Sequence, residues 1–154
     1  MKSMDNIINF DDRPNPQDIL EAIKLEESQL NKGRLKIFLG MAAGVGKTYA
    51  MLEEARVLQK EKIDVVIGTI ESHGRKETEL LIDNLFQVPK KTYFYKEKEF
   101  KEMDVDAIIS LHPSVILIDE LAHSNIPGSK HEKRWQDVLE ILDHGINVYT
   151  TLNV

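Results

Sequence analysis

The sequence predicts a three-layer α/β domain around a mostly parallel, doubly wound sheet of about five strands. Three observations carry that prediction. Short apolar runs of strand length alternate with helical periodicities along most of the chain. A glycine-rich stretch, GMAAGVGKT at residues 40–48, stands where the first strand passes into a helix. A later run, Val115-Ile-Leu-Ile118, ends directly in Asp119-Glu120.

The elements follow in order. Met1 to Asp12 reads as a flexible arm, and residues 13–154 as one domain. In RPNPQDILEAIKLEESQLNKG, Asn15 is a helix cap, Pro16 suits the first helical position, and Asp18 favours the positive helix start. Gly33 stands where that helix would stop. Ile19, Leu20, Ile23 and Leu30 give it an apolar face. RLKIFLG is the first strand. KTYAMLEEARVLQK has Met51, Leu52, Ala55 and Leu58 at helical spacing. IDVVIGTI is the second strand, ESHG a turn, and RKETELLIDNLF a helix. KTYFY is the third strand, MDVDAIISL a short helix ending near Pro113, and SVILIDE the fourth strand. SKHEKRWQDVLEILDHG is a helix with Gly145 as its stop, and INVYTTLNV the fifth strand. The chain has neither an internal repeat nor a low-complexity segment. Its end at Val154, inside or just beyond a strand and without a closing helix, reads as a piece of a longer protein.

Composition narrows the function classes. The 154 residues, 42% hydrophobic and 30% charged, are those of one globular domain with room for a core. A net charge of −6 argues against wholesale binding to nucleic acid or anionic lipid. With no cysteine, disulfides and thiolate metal sites are excluded. The chain holds no membrane-spanning apolar run, and MKSMDNIINFDD turns acidic too early for a secretory signal.

GMAAGVGKT is one residue out of step with the pattern G-x-x-x-x-G-K-[ST]. Met41 occupies the first glycine position, and the glycine stands one residue earlier at Gly40. Gly44 and Gly46 let successive backbone N–H groups turn toward a phosphate, and Gly40 is expected to absorb the turn. The following helix adds unpaired N–H groups and its positive end. The binding loop is thus Ala43, Gly44, Val45, Gly46, Lys47, Thr48 and Tyr49, with Ala42 and Ala43 kept small. Lys47 reaches the β- and γ-phosphates, and Thr48 ligates Mg²⁺. Asp119, at the end of a strand expected beside the loop, supports the same Mg²⁺, and Glu120 is the candidate general base. Together these describe a P-loop NTPase-like domain holding a Mg-nucleotide.

Loops at the carboxyl ends of parallel strands line the ligand crevice, which places Glu71, His73 and Arg75 on the edge of Lys47. Arg75 is the candidate stabiliser of transferring charge, with pairing to Glu71 as the alternative. Residues 121–135, with His123, Asn125, Lys130, His131, Lys133 and Arg134 around Pro127-Gly128, read as a mobile lid or partner surface. Trp135 reads as a packing residue. His73, His123 and His131 lack the spacing of a zinc site. Thr150 and Thr151 stand near the end of the fifth strand, where the structural reading of a threonine leads.

Five segments carry a family resemblance: RPNPQDIL, GRLKIFLGMAAGVGKTYAMLEEA, ESHGRKET, LIDELAHSNIPGSKHEKRWQDV and INVYTTLNV. Together they resemble the N-terminal cytoplasmic domain of the KdpD family, bacterial sensor histidine kinases for potassium and osmotic stress. The resemblance runs from about Arg13 to Val154, and HGRKET and DELAHSN are its specific blocks. It implies that the displaced glycine is a family trait, that Gly44 to Thr48 bind ATP, and that Asp119 with Glu120 form the second nucleotide motif. It further implies a parent protein of an inner membrane. That parent would carry a stress-protein-like domain, membrane helices and a histidine-kinase core, and would phosphorylate a response regulator. The phosphoacceptor histidine segment is absent from this chain, so whether the domain senses ATP, transfers its phosphoryl group or hydrolyses it stays open.

Overall fold

The computed structural model describes residues 15–40, 45–71 and 74–153, with Val45 described by its backbone alone. The expected arm at Met1–Asp12 and the start of the domain at Arg13 lie outside these residues. So do Met41 to Gly44, His73 and Val154. The chain divides into two units, one up to Lys32 and one from Gly33 to Val154.

In the first unit, helix α1 spans Pro16–Leu30. The Asn15 side chain accepts a hydrogen bond from the Gln17 N–H at 2.8 Å, and Pro16 opens the first turn, as expected. The C-cap is Asn31, whose N–H returns to Glu27 and Gln29 carbonyls. Gly33 is therefore not the stop. It belongs to the second unit, where a Cβ would stand 1.9 Å from the Ile146 carbonyl oxygen. Close approach of two backbones, and not a cap, requires glycine there.

The second unit contains β1 (Leu35–Gly40), α2 (Val45–Lys60), β2 (Val65–Thr69), α3 (Lys76–Ile82) and β3 (Phe86–Gln87). There follow β4 (Lys91–Tyr95), β5 (Lys98–Glu102), α4 (Val105–Leu111), β6 (Val115–Ile118), α5 (Arg134–Asp143) and β7 (Asn147–Asn153). Five strands form a parallel sheet in the order β1-β7-β6-β2-β3. The expected α/β class with a mostly parallel five-stranded sheet is what the chain adopts.

Both faces of the sheet are covered, so the central strands are apolar throughout. Val65, Ile67, Val115 and Leu117 point to one side, against Met51, Leu52 and Ala55 of α2 and Leu81 of α3. Val66, Ile116, Ile118 and Val148 point to the other, against Ile108 of α4 and Val138, Ile141 and Leu142 of α5. The period of two along VVI and VILI sets this division. Each fully buried Ile or Leu contributes about 1.5–3 kcal/mol. α5 ends as expected, with Gly145 at φ 82° just beyond the cap at His144.

Three expectations are corrected. KTYFY is a strand, but it pairs antiparallel with Lys98–Glu102 in a separate two-stranded sheet. The third strand of the main sheet is instead Phe86–Gln87, and Phe86 reads in the sequence as the last residue of the preceding helix. α3 stops early, at Ile82, because the chain must reach the sheet edge at Phe86. The hairpin turn places Lys96 at φ 50° and Glu97 at φ 63°, a turn normally marked by Asn-Gly. Without that mark, and with alternating charges in KEKEFKE, the second arm was illegible. The helix read from Ser129 likewise begins only at Arg134.

Candidate functional site

Because the five strands are parallel, their carboxyl ends share one edge. A cavity of about 500 Å³ opens there, walled by Lys47, Thr48, Arg75, Asp119, Glu120 and His123, with Thr151 and Asn153 of β7. Its size is that of a small-ligand site. The structure thus gathers five of the expected residues, Lys47 and Thr48 from α2, Arg75 from the α3 approach, and Asp119 and Glu120 from the end of β6. Tyr49 is half-buried and packs against the α2-side core instead.

α2 begins at Val45, so its first turn, whose N–H groups have no partner within the helix, belongs to the GVGKT segment. A Cβ built at Gly46 meets nothing within 4 Å, which leaves that backbone open to approach. A Cβ at Gly40 would stand 2.6 Å from Lys47 Cδ and 2.7 Å from Cγ. The displaced glycine therefore lets the lysine stem cross the end of β1.

Asp119 is 2% exposed, and every polar group it carries is used. The Thr48 hydroxyl lies 3.2 Å from both carboxylate oxygens. The Thr151 hydroxyl donates to Oδ1 at 2.5 Å, and the Glu71 N–H to Oδ2 at 3.3 Å. Its backbone N–H donates to Thr69 O, and its carbonyl accepts from Arg134 Nη1 at 2.8 Å. The strand carrying Asp119 is not beside β1, contrary to expectation: β7 lies between them. That insertion brings Thr151 into the site, a threonine for which the structural reading had led.

Glu120 is exposed and holds φ at 59°, a left-handed conformation uncommon outside glycine, with its N–H donated to Thr151 Oγ1 at 2.9 Å. Backbone strain of this kind concentrates at functional sites. Arg75 is exposed at the N-cap of α3 and lines the cavity. Glu71 does not pair with it: its carboxylate faces Lys90 at 3.9 Å.

The 121–135 segment is not a loose flap. Ser124 and Lys133 form an antiparallel bridge, and the Asn125 N–H donates to Glu132 O at 2.9 Å. The Asn125 side chain donates to Asp137 at 2.8 Å. Lys130 pairs with Asp106 and Glu140, and His131 with Glu140 at 2.7 Å. Trp135, expected in the packing, is 48% exposed. Arg134 is 6% exposed. Burial pulls its guanidinium below the ordinary arginine pKa, against the opposing pull of Glu102 foremost. Burial also raises the Asp137 carboxyl, which the Asn125 hydrogen bond counters.

Sequence reasoning missed Glu102. Only 8% exposed at the end of β5, it lies 3.0 Å from His123 Nε2 and 3.6 Å from Arg134 Nη2, and accepts the Ile126 N–H at 2.8 Å. No local signal separates it from the solvated charges of KEKEFKE.

With this geometry in place, comparison with known proteins is decisive. The family described as the KdpD osmosensitive K⁺ channel His kinase sensor domain matches residues 31–154. The chain belongs to the KdpD sensor-domain family. It is 47% identical over 142 residues to the sensor protein KdpD of Escherichia coli K12, covering 92% of this chain and 15% of that protein. To the sensor protein KdpD of Clostridium acetobutylicum it is 50% identical over 147 residues, covering 96% of this chain and 16% of the relative. To that of Mycobacterium tuberculosis H37Rv it is 48% identical over 130 residues, covering 84% and 15%. The chain thus spans about one sixth of the KdpD proteins it matches. Among the described residues, no helix is long and apolar enough to cross a membrane.

Proposed function

We propose that this KdpD-type domain binds Mg-ATP as a regulatory module of a sensor histidine kinase for potassium and osmotic stress. The observation that carries the reading is the Thr48–Asp119 contact at 3.2 Å, buried at the foot of a cavity that also holds Lys47. A hydroxyl on a helix start and a carboxylate on a strand end converge there, the donor set that a nucleotide-bound Mg²⁺ takes. The unpaired N–H groups of α2 and the Lys47 ammonium suit a phosphate chain. Bound Mg²⁺ would neutralise phosphate charge; Thr48 and Asp119 are the residues that would hold it, oriented by Thr151 and the Glu71 N–H.

Nucleotide acts as a regulator only if it binds two conformations unequally. Asp119 gives that coupling a route, because its carbonyl holds Arg134 at the base of the 121–135 segment. The parent protein is proposed as a membrane-embedded histidine kinase that phosphorylates a response regulator. Its neighbouring stress-protein-like and kinase domains are the partners of this cytoplasmic module.

Calorimetric titration of the folded chain with Mg-ATP tests the reading. Saturable binding that Lys47→Ala weakens about 10- to 100-fold supports it, and no heat and no thermal shift overturns it. A second reading, phosphoryl transfer or hydrolysis, is favoured by the left-handed Glu120 at the cavity wall as base and by Arg75 as charge stabiliser. Label on the γ-phosphate separates the two: it stays on ATP in a sensor, and appears on protein or as free phosphate in an enzyme.

A further inference from the structure

We infer that Glu102 is a positioning residue of the cavity: it holds the His123 imidazole in the wall, where His123 meets the terminal phosphate and so distinguishes a triphosphate from a diphosphate. This inference rests on the nucleotide reading above.

A carboxylate buried as deeply as Glu102 is costly unless its oxygens are satisfied. It gathers three partners from one segment of the chain, His123 to Arg134. His123 Nε2 lies 3.0 Å from Oε1 and 3.2 Å from Oε2, the Ile126 N–H donates to Oε2 at 2.8 Å, and Arg134 Nη2 stands 3.6 Å from Oε1. Arg134 in turn donates through Nη1 to the Asp119 carbonyl. The imidazole is thus tied on one side to a buried anion that is itself locked to the strand end bearing Asp119.

Other cations of the segment face elsewhere. Lys130 and His131 are engaged by Asp106 and Glu140, and Lys133 donates to Ser124 Oγ at 2.7 Å. His123 lines the cavity with Lys47 and Arg75, its side chain 31% exposed. Orientation follows from chemistry. A carboxylate beside Nε2 selects the form with hydrogen on that nitrogen and leaves Nδ1 for a ligand. Contact with two anions uses both ring nitrogens as donors, Nε2 toward Glu102 and Nδ1 toward the phosphate oxygen. A diphosphate gives Lys47 its β-phosphate and leaves His123 without the second anion.

The test titrates Mg-ATP and Mg-ADP separately into the full chain and into His123→Ala, Glu102→Gln and Glu102→Ala. Wild type is expected to prefer the triphosphate. His123→Ala is expected to weaken Mg-ATP about tenfold, as for loss of one charged hydrogen bond, while Mg-ADP stays within about twofold. Glu102→Gln, which keeps an acceptor for the Ile126 N–H, is expected to shift the ATP-to-ADP ratio in the same direction by a smaller factor. Equal losses for both nucleotides, or an unchanged ratio in His123→Ala, overturn the inference. If Glu102→Ala does not fold, the other two variants still decide. Wild type that binds neither nucleotide overturns the nucleotide reading itself, a result distinct from an unchanged ratio.

Discussion

The two walls of the cavity are built by opposite means. One is local: Lys47 and Thr48 in the first turn of α2, with Gly40 at the end of β1 making room for the lysine stem. The other presents His123, in the loop after β6, which is backed from outside the lining by Glu102 of β5 and Arg134 of α5 through buried charge. Beside the first, the Gly46 backbone stands open, with nothing within 4 Å of where a Cβ would be. In the second, the anions are already answered by protein donors. Groups that wait for a ligand contribute little to folding, whereas groups that answer one another do.

Arg134→Met should separate the walls most sharply. It strands Glu102 in the interior and leaves the Asp119 carbonyl without its donor. The expected loss is about 3–5 kcal/mol of stability, read from urea unfolding. A loss under about 1 kcal/mol would show that the second wall is no more structural than the first.

Lys47→Ala is the converse. Mg-ATP affinity should fall about 10- to 100-fold, with unfolding stability within about 0.5 kcal/mol of wild type. A large drop in melting temperature would break the contrast.

Gly40→Ala should be milder. A new Cβ at 2.6 Å from Lys47 Cδ displaces a flexible stem, not a backbone, so the fold holds and affinity falls by about tenfold or less. Unchanged affinity would show that Lys47 reaches its ligand by another path.

Asp137→Asn probes the ground beneath the second wall with the smallest effect. Burial raises the Asp137 pKa in the folded protein. Below the unfolded carboxylate range both states are protonated and no penalty exists; stability is lost as pH rises toward the raised value. The asparagine variant should therefore match or exceed wild type in neutral-pH thermal unfolding, with the difference vanishing in acid. A variant less stable at neutral pH than in acid, relative to wild type, would reverse the assigned sign.

Legibility in the sequence follows the same division. β6 and Asp119 could be read because four apolar residues buried on both faces run straight into a carboxylate. Lys47 could be read because helix-start amides and glycine freedom act within a few residues. Thr151 could not, since its role depends on β7 lying between β1 and β6, and strand order is not a local property. Glu102 was hidden more deeply. It lies in a charged hairpin whose turn lacks the usual residues, and only the docking of that hairpin buries one of its carboxylates.

By itself the sequence determined the alternation of strands and helices, the cap at Asn15 and the stop at Gly145, and the glycine-rich run ending in a lysine and a threonine. Each rests on hydrogen bonds or periodicities that span a few residues. Only the tertiary structure decided which strands adjoin, that Thr48 and Thr151 meet on Asp119, and that Glu102 grips His123 and Arg134. Those contacts join residues tens of positions apart, and their energy comes from removing charge from water, which happens only once the layers have closed.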